Sequence, residues 1–224
     1  THDGGPGTWD AASTNWSASP YGLNTNWQSG VAVFGGATGT VAVSGTQNFQ
    51  GLQFATNNYV LTGGALNMGG ATFISVGVAD ATINSALTGS GPLDKQGSGR
   101  LTLGGASTYT GGTTLSAGII QVTTATALGT GSLAMGAFTT LEAGASVALA
   151  NAISLTATTN IDTAANTLTL NGVISGAGAT VLNKDGAGTL VLNAANTYTG
   201  GAARNASAIN VVNAAALSTG ALNM

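Results

Sequence analysis

The chain has 224 residues, of which only 4 are Lys or Arg and 7 are Asp or Glu, giving a formal net charge of −3. Four basic residues cannot neutralise a phosphate backbone, so a nucleic-acid partner is not expected. Hydrophobic residues make up 43% of the chain, which argues against intrinsic disorder. Cysteine is absent, which excludes disulfide frameworks and thiolate metal sites. No apolar run is long enough for a membrane-spanning helix.

The first 30 residues hold all three tryptophans of the chain, Trp9, Trp16 and Trp27, with Tyr21 among them. Two hypotheses explain this cluster. The rings could close the end of a narrow apolar core as an N-terminal cap, the interpretation that we favour, or they could form a carbohydrate-stacking platform. His2 is the single histidine of the sequence, and its terminal position makes it a poor candidate for a catalytic base.

From residue 31 onwards, short alternating segments such as 40–43, 71–76, 119–122 and 167–170 recur and end at Gly, Asn or Ala-Gly. A period of two residues predicts β-strands, and no helical period is present. The candidate folds are a sandwich, a barrel and a solenoid.

An internal repeat favours the solenoid. The segment from Lys95 to Leu103 recurs from Lys184 to Leu192, and the offset of 89 residues holds to the end of the chain, giving copies at about 83–135 and 170–224. Near-identical stacked coils produce such repeats, and glycines allow the backbone to turn at the corners. The low charge also fits, because like charges stacked on neighbouring coils would repel one another. We therefore predict an all-β, right-handed parallel β-solenoid at 31–224 behind a Trp-rich cap at 1–30. Coils of about 20 to 25 residues would place the two lysines near one edge, about 19 Å apart.

The repeat also carries a family resemblance. Its shared positions are Lys95, Gly97, Gly99, Leu101, Leu103, Tyr109 and Gly111 in the first copy, and Lys184, Gly186, Gly188, Leu190, Leu192, Tyr198 and Gly200 in the second. This pattern resembles the autotransporter-associated β-strand repeat of Gram-negative type V secreted passenger domains. The resemblance implies display at the outer-membrane surface or release into the medium. The second copy departs from the pattern at 202–208, where we expect local distortion.

Few residues could support catalysis. No Ser-His-Asp triad can be assembled, and the seven acidic residues are isolated in sequence, as expected of solvated turns. Neighbouring coils could bring a pair such as Asp80 and Asp94 to glycosidase spacing, although solvated turn residues are the interpretation that we favour. No metal or cofactor site is predicted. Tyr109 and Tyr198 occupy equivalent repeat positions, which indicates a structural role at a coil corner.

We therefore expect a non-catalytic extracellular structural or adhesive element that is not embedded in a membrane. Its partners would be other copies of itself or surface and matrix glycans, bound by many weak contacts. Because the C-terminal coil looks uncapped, the chain is expected to be a fragment of a longer passenger or, alternatively, a filament subunit stacked end to end. A polysaccharide-active enzyme is the third alternative.

Overall fold

The computed structural model describes residues 5–17, 24–77, 80–176, 178, 180–217 and 222–223. Tyr21 and His2 lie outside the described residues. Within these ranges the regular elements are all strands, two to five residues long. In chain order they are β1 (Gly7–Trp9), β2 (Trp16–Ser17), β3 (Asn24–Thr25), β4 (Val31–Phe34), β5 (Thr40–Val43), β6 (Thr46–Asn48), β7 (Gly51–Phe54), β8 (Tyr59–Thr62), β9 (Ala65–Met68), β10 (Thr72–Val76), β11 (Asp80–Ile83), β12 (Ala86–Gly89), β13 (Leu93–Gln96), β14 (Arg100–Leu103), β15 (Thr113–Leu115), β16 (Ile119–Val122), β17 (Leu133–Met135), β18 (Thr140–Ala143), β19 (Val147–Leu149), β20 (Ile153–Leu155), β21 (Thr159–Asp162), β22 (Thr167–Leu170), β23 (Ile174–Gly176), β24 (Leu182–Asp185), β25 (Thr189–Leu192), β26 (Ala202–Arg204), β27 (Ala208–Val211) and β28 (Leu222–Asn223).

The strands stack as a three-sided coil. Face 1 contains β4, β7, β10, β13, β15, β17, β20 and β23. Face 2 contains β1, β5, β8, β11, β14, β16, β18, β21, β24, β26 and β28. Face 3 follows face 2 along the chain and contains β6, β9 and β12, then β19, β22, β25 and β27.

Apart from the antiparallel pair β2–β3, the strands pair in parallel with strands of the neighbouring coils. Arg100 pairs with Ile119, and Thr159 pairs with Leu182, so a coil from β4 onwards takes 19 to 23 residues. The first coil, in which Gly7 pairs with Val41, is longer. Parallel pairing usually needs a long crossover, and here two more short strands and their corners provide it. The predicted all-β parallel solenoid is confirmed.

Alternation along the strands builds the core. In β14, Leu101 and Leu103 are buried, whereas Thr102 between them faces outwards. The same pattern on all three faces joins the buried side chains into one continuous apolar interior. Face 3 has no strand at 104–112 and 123–131. There, side chains supplement a few backbone bonds such as that from the Thr108 amide to the Leu87 carbonyl oxygen (2.8 Å). The Leu87 amide donates to Ser107 Oγ (3.2 Å), and Asn151 Nδ2 donates to backbone carbonyls, one of them at 2.6 Å.

The repeat does not return to the same edge. Lys95 lies on β13 of face 1, whereas Lys184 lies on β24 of face 2. Four coils lead from Arg100 to Asn183, and these four coils contain six residues fewer than the repeat offset. Six residues is also the separation in sequence between one face and the next. The second copy is therefore rotated by one face, and the prediction that both lysines share an edge was wrong.

The expected distortion at 202–208 does not break the ladder. Strand β26 pairs with β24, and β27 pairs with β25, so the register continues through the divergent stretch. The side chains do differ, because Arg204 is exposed where the equivalent Leu115 of the first copy is buried.

Candidate functional site

One of the repeat lysines is held entirely inside the solenoid. Lys95 is fully buried, although lysines almost never are without partners. Its ammonium donates hydrogen bonds to the carbonyl oxygens of Gln96 (3.0 Å), Gly97 (2.8 Å) and, in the next coil, Ala117 (3.1 Å). The side chain therefore links a corner of its own coil to the corresponding corner of the following coil.

The second copy builds the same arrangement on another face. Lys184 is fully buried, and its ammonium donates to the carbonyl oxygens of Asp185 (2.8 Å), Gly186 (2.8 Å) and Ala206 (3.4 Å). These acceptors follow those of the first copy by the repeat offset. We call each arrangement, a buried lysine with its three carbonyl acceptors, a lysine clamp.

Burial shifts the proton equilibrium of both clamps. Burial lowers the pKa of Lys95 to about 8, against the opposing effect of the Asp94 carboxylate. Burial likewise lowers the pKa of Lys184, opposed by Asp162 and Asp185. A desolvated amine of this kind can be a nucleophile when it lines a cleft. Here both ammonium groups donate hydrogen bonds to backbone carbonyl oxygens inside the core, so the geometry supports a role in fastening neighbouring coils to each other.

The glycine two residues after each lysine adopts a backbone conformation that requires glycine. Gly97 has a φ of +76°, and a Cβ there would lie 2.2 Å from the Val76 carbonyl oxygen. Gly186 has a φ of +79°, and a Cβ there would lie 2.4 Å from the Ala164 amide nitrogen. Only glycine allows the corner to turn this closely over the preceding coil.

The other repeat positions also lie in the interior or at corners. Tyr109 is buried with its hydroxyl 2.5 Å from Thr113 Oγ1, and burial raises its pKa to about 12. Tyr198 is buried as well, and burial raises its pKa to about 12. The leucines of the repeat are buried and its remaining glycines sit at or beside coil corners: Leu101, Leu103, Leu190 and Leu192; Gly99, Gly111, Gly188 and Gly200.

The three tryptophans pack on one another at the N-terminal end. Their ring centroids lie 5.1 Å (Trp9–Trp16), 5.0 Å (Trp9–Trp27) and 4.7 Å (Trp16–Trp27) apart, and Phe34 continues the cluster into the core. Trp9 and Trp16 are buried, so neither ring can stack on a sugar without opening the core. Trp27 is half-buried and donates from Nε1 to the Asn48 carbonyl oxygen (2.6 Å). The cluster has the geometry of the cap.

The outer surface of face 2 carries most of the acidic residues, which are isolated from one another in the sequence. Registers align Thr102, Gln121, Glu142, Asp162 and Asp185 in one column along the solenoid axis. Spacings of 19 to 23 residues hide this column in the sequence. Knowledge of the coil length, applied to the outward positions of each strand, would have revealed it.

Arg100 ties the charges of face 2 together. It donates to Glu142 Oε2 from Nε (3.1 Å) and Nη2 (2.8 Å), and its Nη1 lies 3.5 Å from Asp80 Oδ2. Gln121 Nε2 donates to the other oxygen of Glu142 (2.6 Å). The Glu142 hydrogen bond is the main reason that the pKa of Arg100 is raised. One cation thus spans strands β11 to β18.

The two carboxylates considered as a glycosidase pair lie on different faces. Asp80 lies on face 2, whereas Asp94 lies on face 1, where it accepts from Ser116 Oγ (2.5 Å) and Gln96 Nε2 (2.6 Å). Within the described ranges no group of three or more His, Cys, Asp or Glu has an arrangement that could hold a metal ion. The same part of the chain contains no helix long and apolar enough to cross a membrane.

Uncharged side chains form short rows along the axis. Amide pairs link neighbouring coils: Asn67 Nδ2 donates to Asn48 Oδ1 (2.7 Å), and Asn183 Nδ2 donates to Asn160 Oδ1 (3.0 Å). Thr102 Oγ1 similarly donates to Gln121 Oε1 (2.9 Å). These bonds fix polar groups at the strand spacing of about 4.8 Å on the outer surface.

Comparison with known proteins gives the same interpretation as the repeat geometry. Residues 93–122 and 182–203, the two segments that contain the clamp lysines Lys95 and Lys184, match the passenger-associated-transport-repeat. Both copies of the internal repeat therefore contain a match to this passenger repeat. The resemblance predicted from the sequence motif is thereby confirmed. The "Adhesin BmaC autotransporter" of Brucella suis biovar 1 (strain 1330) is 38% identical over 214 residues. That alignment covers 88% of this chain but 6% of the relative, so the chain spans a small part of that protein's length. No solved structure matches the chain.

Proposed function

We propose that this passenger segment is a non-catalytic extracellular element that mediates adhesion through many weak contacts at the surface of a Gram-negative bacterium. The similarity to an autotransporter that is named an adhesin supports the proposal. The passenger repeats support the secretion route. Fold and repeats alone are compatible with several activities, so the outer surface carries the rest of the proposal.

The observation that carries the adhesive function is the set of hydrogen-bonded rows on the outer faces. Amides such as Asn48 and Asn67, or Asn160 and Asn183, are held by their neighbours in adjacent coils. Groups that are already ordered lose little conformational entropy on binding. A rod that repeats such groups gains strength from simultaneous weak contacts.

The distribution of charge favours close approach to another surface. Of the four basic residues, Lys95 and Lys184 are buried, and Arg100 is bound to Glu142. Arg204 is the exposed basic residue of the set. With only 4 basic and 7 acidic residues and a net charge of −3, long-range repulsion between copies is weak.

The test is adhesion of beads coated with the chain at graded densities, measured on epithelial cell layers and on extracellular matrix. Multivalent adhesion predicts a steep rise in bound beads above a threshold density. Beads coated with albumin at the same density are the control. Binding that grows only in proportion to density, or no binding above the control, would overturn the proposal.

Self-assembly into filaments is the competing function. Negative-stain electron microscopy over a hundredfold range of concentration separates the two. Long uniform fibres that grow with concentration would identify a filament subunit, whereas short isolated rods at all concentrations support a passenger segment that binds other surfaces. A polysaccharide-active enzyme is disfavoured because Glu142, the most buried carboxylate of the charged column, is engaged by both Arg100 and Gln121.

A further inference from the structure

Phe138 is anomalous in two independent ways. Its side chain is 81% exposed, the highest value among the large exposed hydrophobic residues of the described chain. Its φ is +56°, a left-handed conformation that bulky residues avoid. Other positive-φ residues at corners between face 1 and face 2 include Gly36, Asn58, Gly97 and Gly118, which suit that conformation. Backbone strain at a residue whose side chain is not buried is typical of functional positions.

The turn that presents Phe138 is held firmly on both sides. The Phe138 amide donates to the Thr158 carbonyl oxygen of the next coil (2.9 Å). The following residue, Thr139, is buried and donates from Oγ1 to the Gly136 carbonyl oxygen (2.8 Å). The ring is thus displayed from an ordered corner, which lowers the entropic cost of binding through it.

Polar side chains begin immediately beside the ring. Thr140 starts strand β18 two residues after Phe138, about 7 Å along the chain. Asn160 and Asn183 follow it in register on the next two coils, all three half-buried and facing outwards. Asn183 Nδ2 donates to Asn160 Oδ1, which fixes the amide pair. An aromatic ring therefore stands at the head of a row of hydroxyl and amide groups.

We propose that Phe138 with Thr140, Asn160 and Asn183 forms a binding site for a neutral glycan, in which the phenyl ring stacks on the face of one sugar. This inference rests on the adhesive function proposed above and gives it a ligand class. The apolar face of a pyranose suits an aromatic ring, and its hydroxyls suit amides and hydroxyls that both donate and accept.

Size and charge favour a neutral glycan over other occupants. A single exposed ring offers far less area than the roughly 800 Å² per partner that a stable protein interface buries. The neighbouring column contains Glu142 and Asp162, which would repel uronic or sialic acids. Of the cations on face 2, Arg100 is bound to Glu142 and Lys184 is buried in its clamp. Arg204 lies on β26, one coil beyond Asn183, and donates to the Ser207 carbonyl oxygen. An anionic glycan would find no uncommitted cation among the described residues of these coils.

The experiment measures binding of the 224-residue chain to immobilised neutral oligosaccharides of glucose, mannose and galactose. Sialylated and uronate-containing oligosaccharides and phosphatidylcholine vesicles are parallel arms. The informative variants are Phe138→Asn and Phe138→Gly, because both residues suit a positive φ. We expect these variants to unfold at the same or higher temperature than the wild type and to bind a neutral oligosaccharide at least tenfold more weakly. Phe138→Tyr should retain binding.

Val173→Ala is the matched control, since Val173 is another exposed hydrophobic residue (43%) and lies just before a face 1 strand. It should leave glycan binding unchanged. Equal binding by wild type and Phe138→Asn, binding only to acidic glycans or vesicles, or no binding to any neutral oligosaccharide would each overturn the inference. If coated beads still adhere to cells with Phe138→Asn as they do with wild type, the glycan site fails and the adhesive function stands. If wild-type beads do not adhere, the adhesive function itself fails.

Discussion

Replacing Lys95 by methionine tests whether the lysine clamp fastens neighbouring coils. Methionine keeps the unbranched stem but leaves the carbonyls of Gln96, Gly97 and Ala117 without their donor. These groups are partly buried, so each loss costs about 1–2 kcal/mol. Removing the charge from the interior offsets about 3 kcal/mol, because burial lowers the pKa of Lys95 from 10.5 to about 8. We therefore expect Lys95→Met to lower the free energy of unfolding by about 2 kcal/mol at pH 7.

Hydrogen exchange is the assay of choice because solenoids open locally. Amides of the corners at 97–99 and 116–118 should exchange about 30-fold faster in Lys95→Met, while face 2 strands far from the clamp stay protected. Arg204→Met, which removes an exposed charge, is the control. Unchanged exchange at both corners, or an equal effect of the control, would refute the fastening role.

The lowered pKa of Lys95 adds a pH test of the same clamp. Between pH 8 and 10.5 the unfolded chain binds a proton that the folded chain has released, so wild-type stability rises with pH in this window. The stability is lost again as pH falls through about 8. Denaturant titrations should show a steeper rise for the wild type than for Lys95→Met, which keeps the contribution of Lys184; the same slope in both proteins would contradict the assignment.

Two further predictions concern the tyrosines and the charged column. Burial raises the pKa of Tyr109 and Tyr198 to about 12, so stability should fall above pH 10, by about 1.4 kcal/mol per pH unit for each tyrosine. Tyr109→Phe should remove the contribution of one tyrosine from that slope in alkaline denaturant titrations, and an unchanged slope would contradict the burial. Glu142→Gln should cost about 1 kcal/mol in low salt and less in 1 M NaCl, because it weakens the bonds from Arg100. Asp80→Asn, at a longer and more exposed contact, should cost close to nothing; an equal loss in both variants would count against the network.

Strand period and repeat could be read from the sequence because each is a local pattern. Leu101 and Leu103 alternate with Thr102 whatever coil they occupy, and the structure buries the leucines as predicted. The burial of Lys95 could not be read in this way. A lysine at an inward position looks like a solvated turn residue until the Ala117 carbonyl of the next coil, 22 residues away, is known to accept from it.

Which residues meet across the coils depends on small differences in coil length, and these differences accumulate along the chain. Coils of 19 to 23 residues bring Glu142, Asp162 and Asp185 into one column, although no fixed period connects them. The same accumulation rotates the second repeat copy by one face, so that Lys184 fastens face 2 as Lys95 fastens face 1. A repeat that is not a whole number of coils distributes its fasteners around the solenoid rather than along one edge. Each clamp joins a different pair of neighbouring coils, one through Lys95 and Ala117 and the other through Lys184 and Ala206, so the solenoid is fastened at two levels and on two sides.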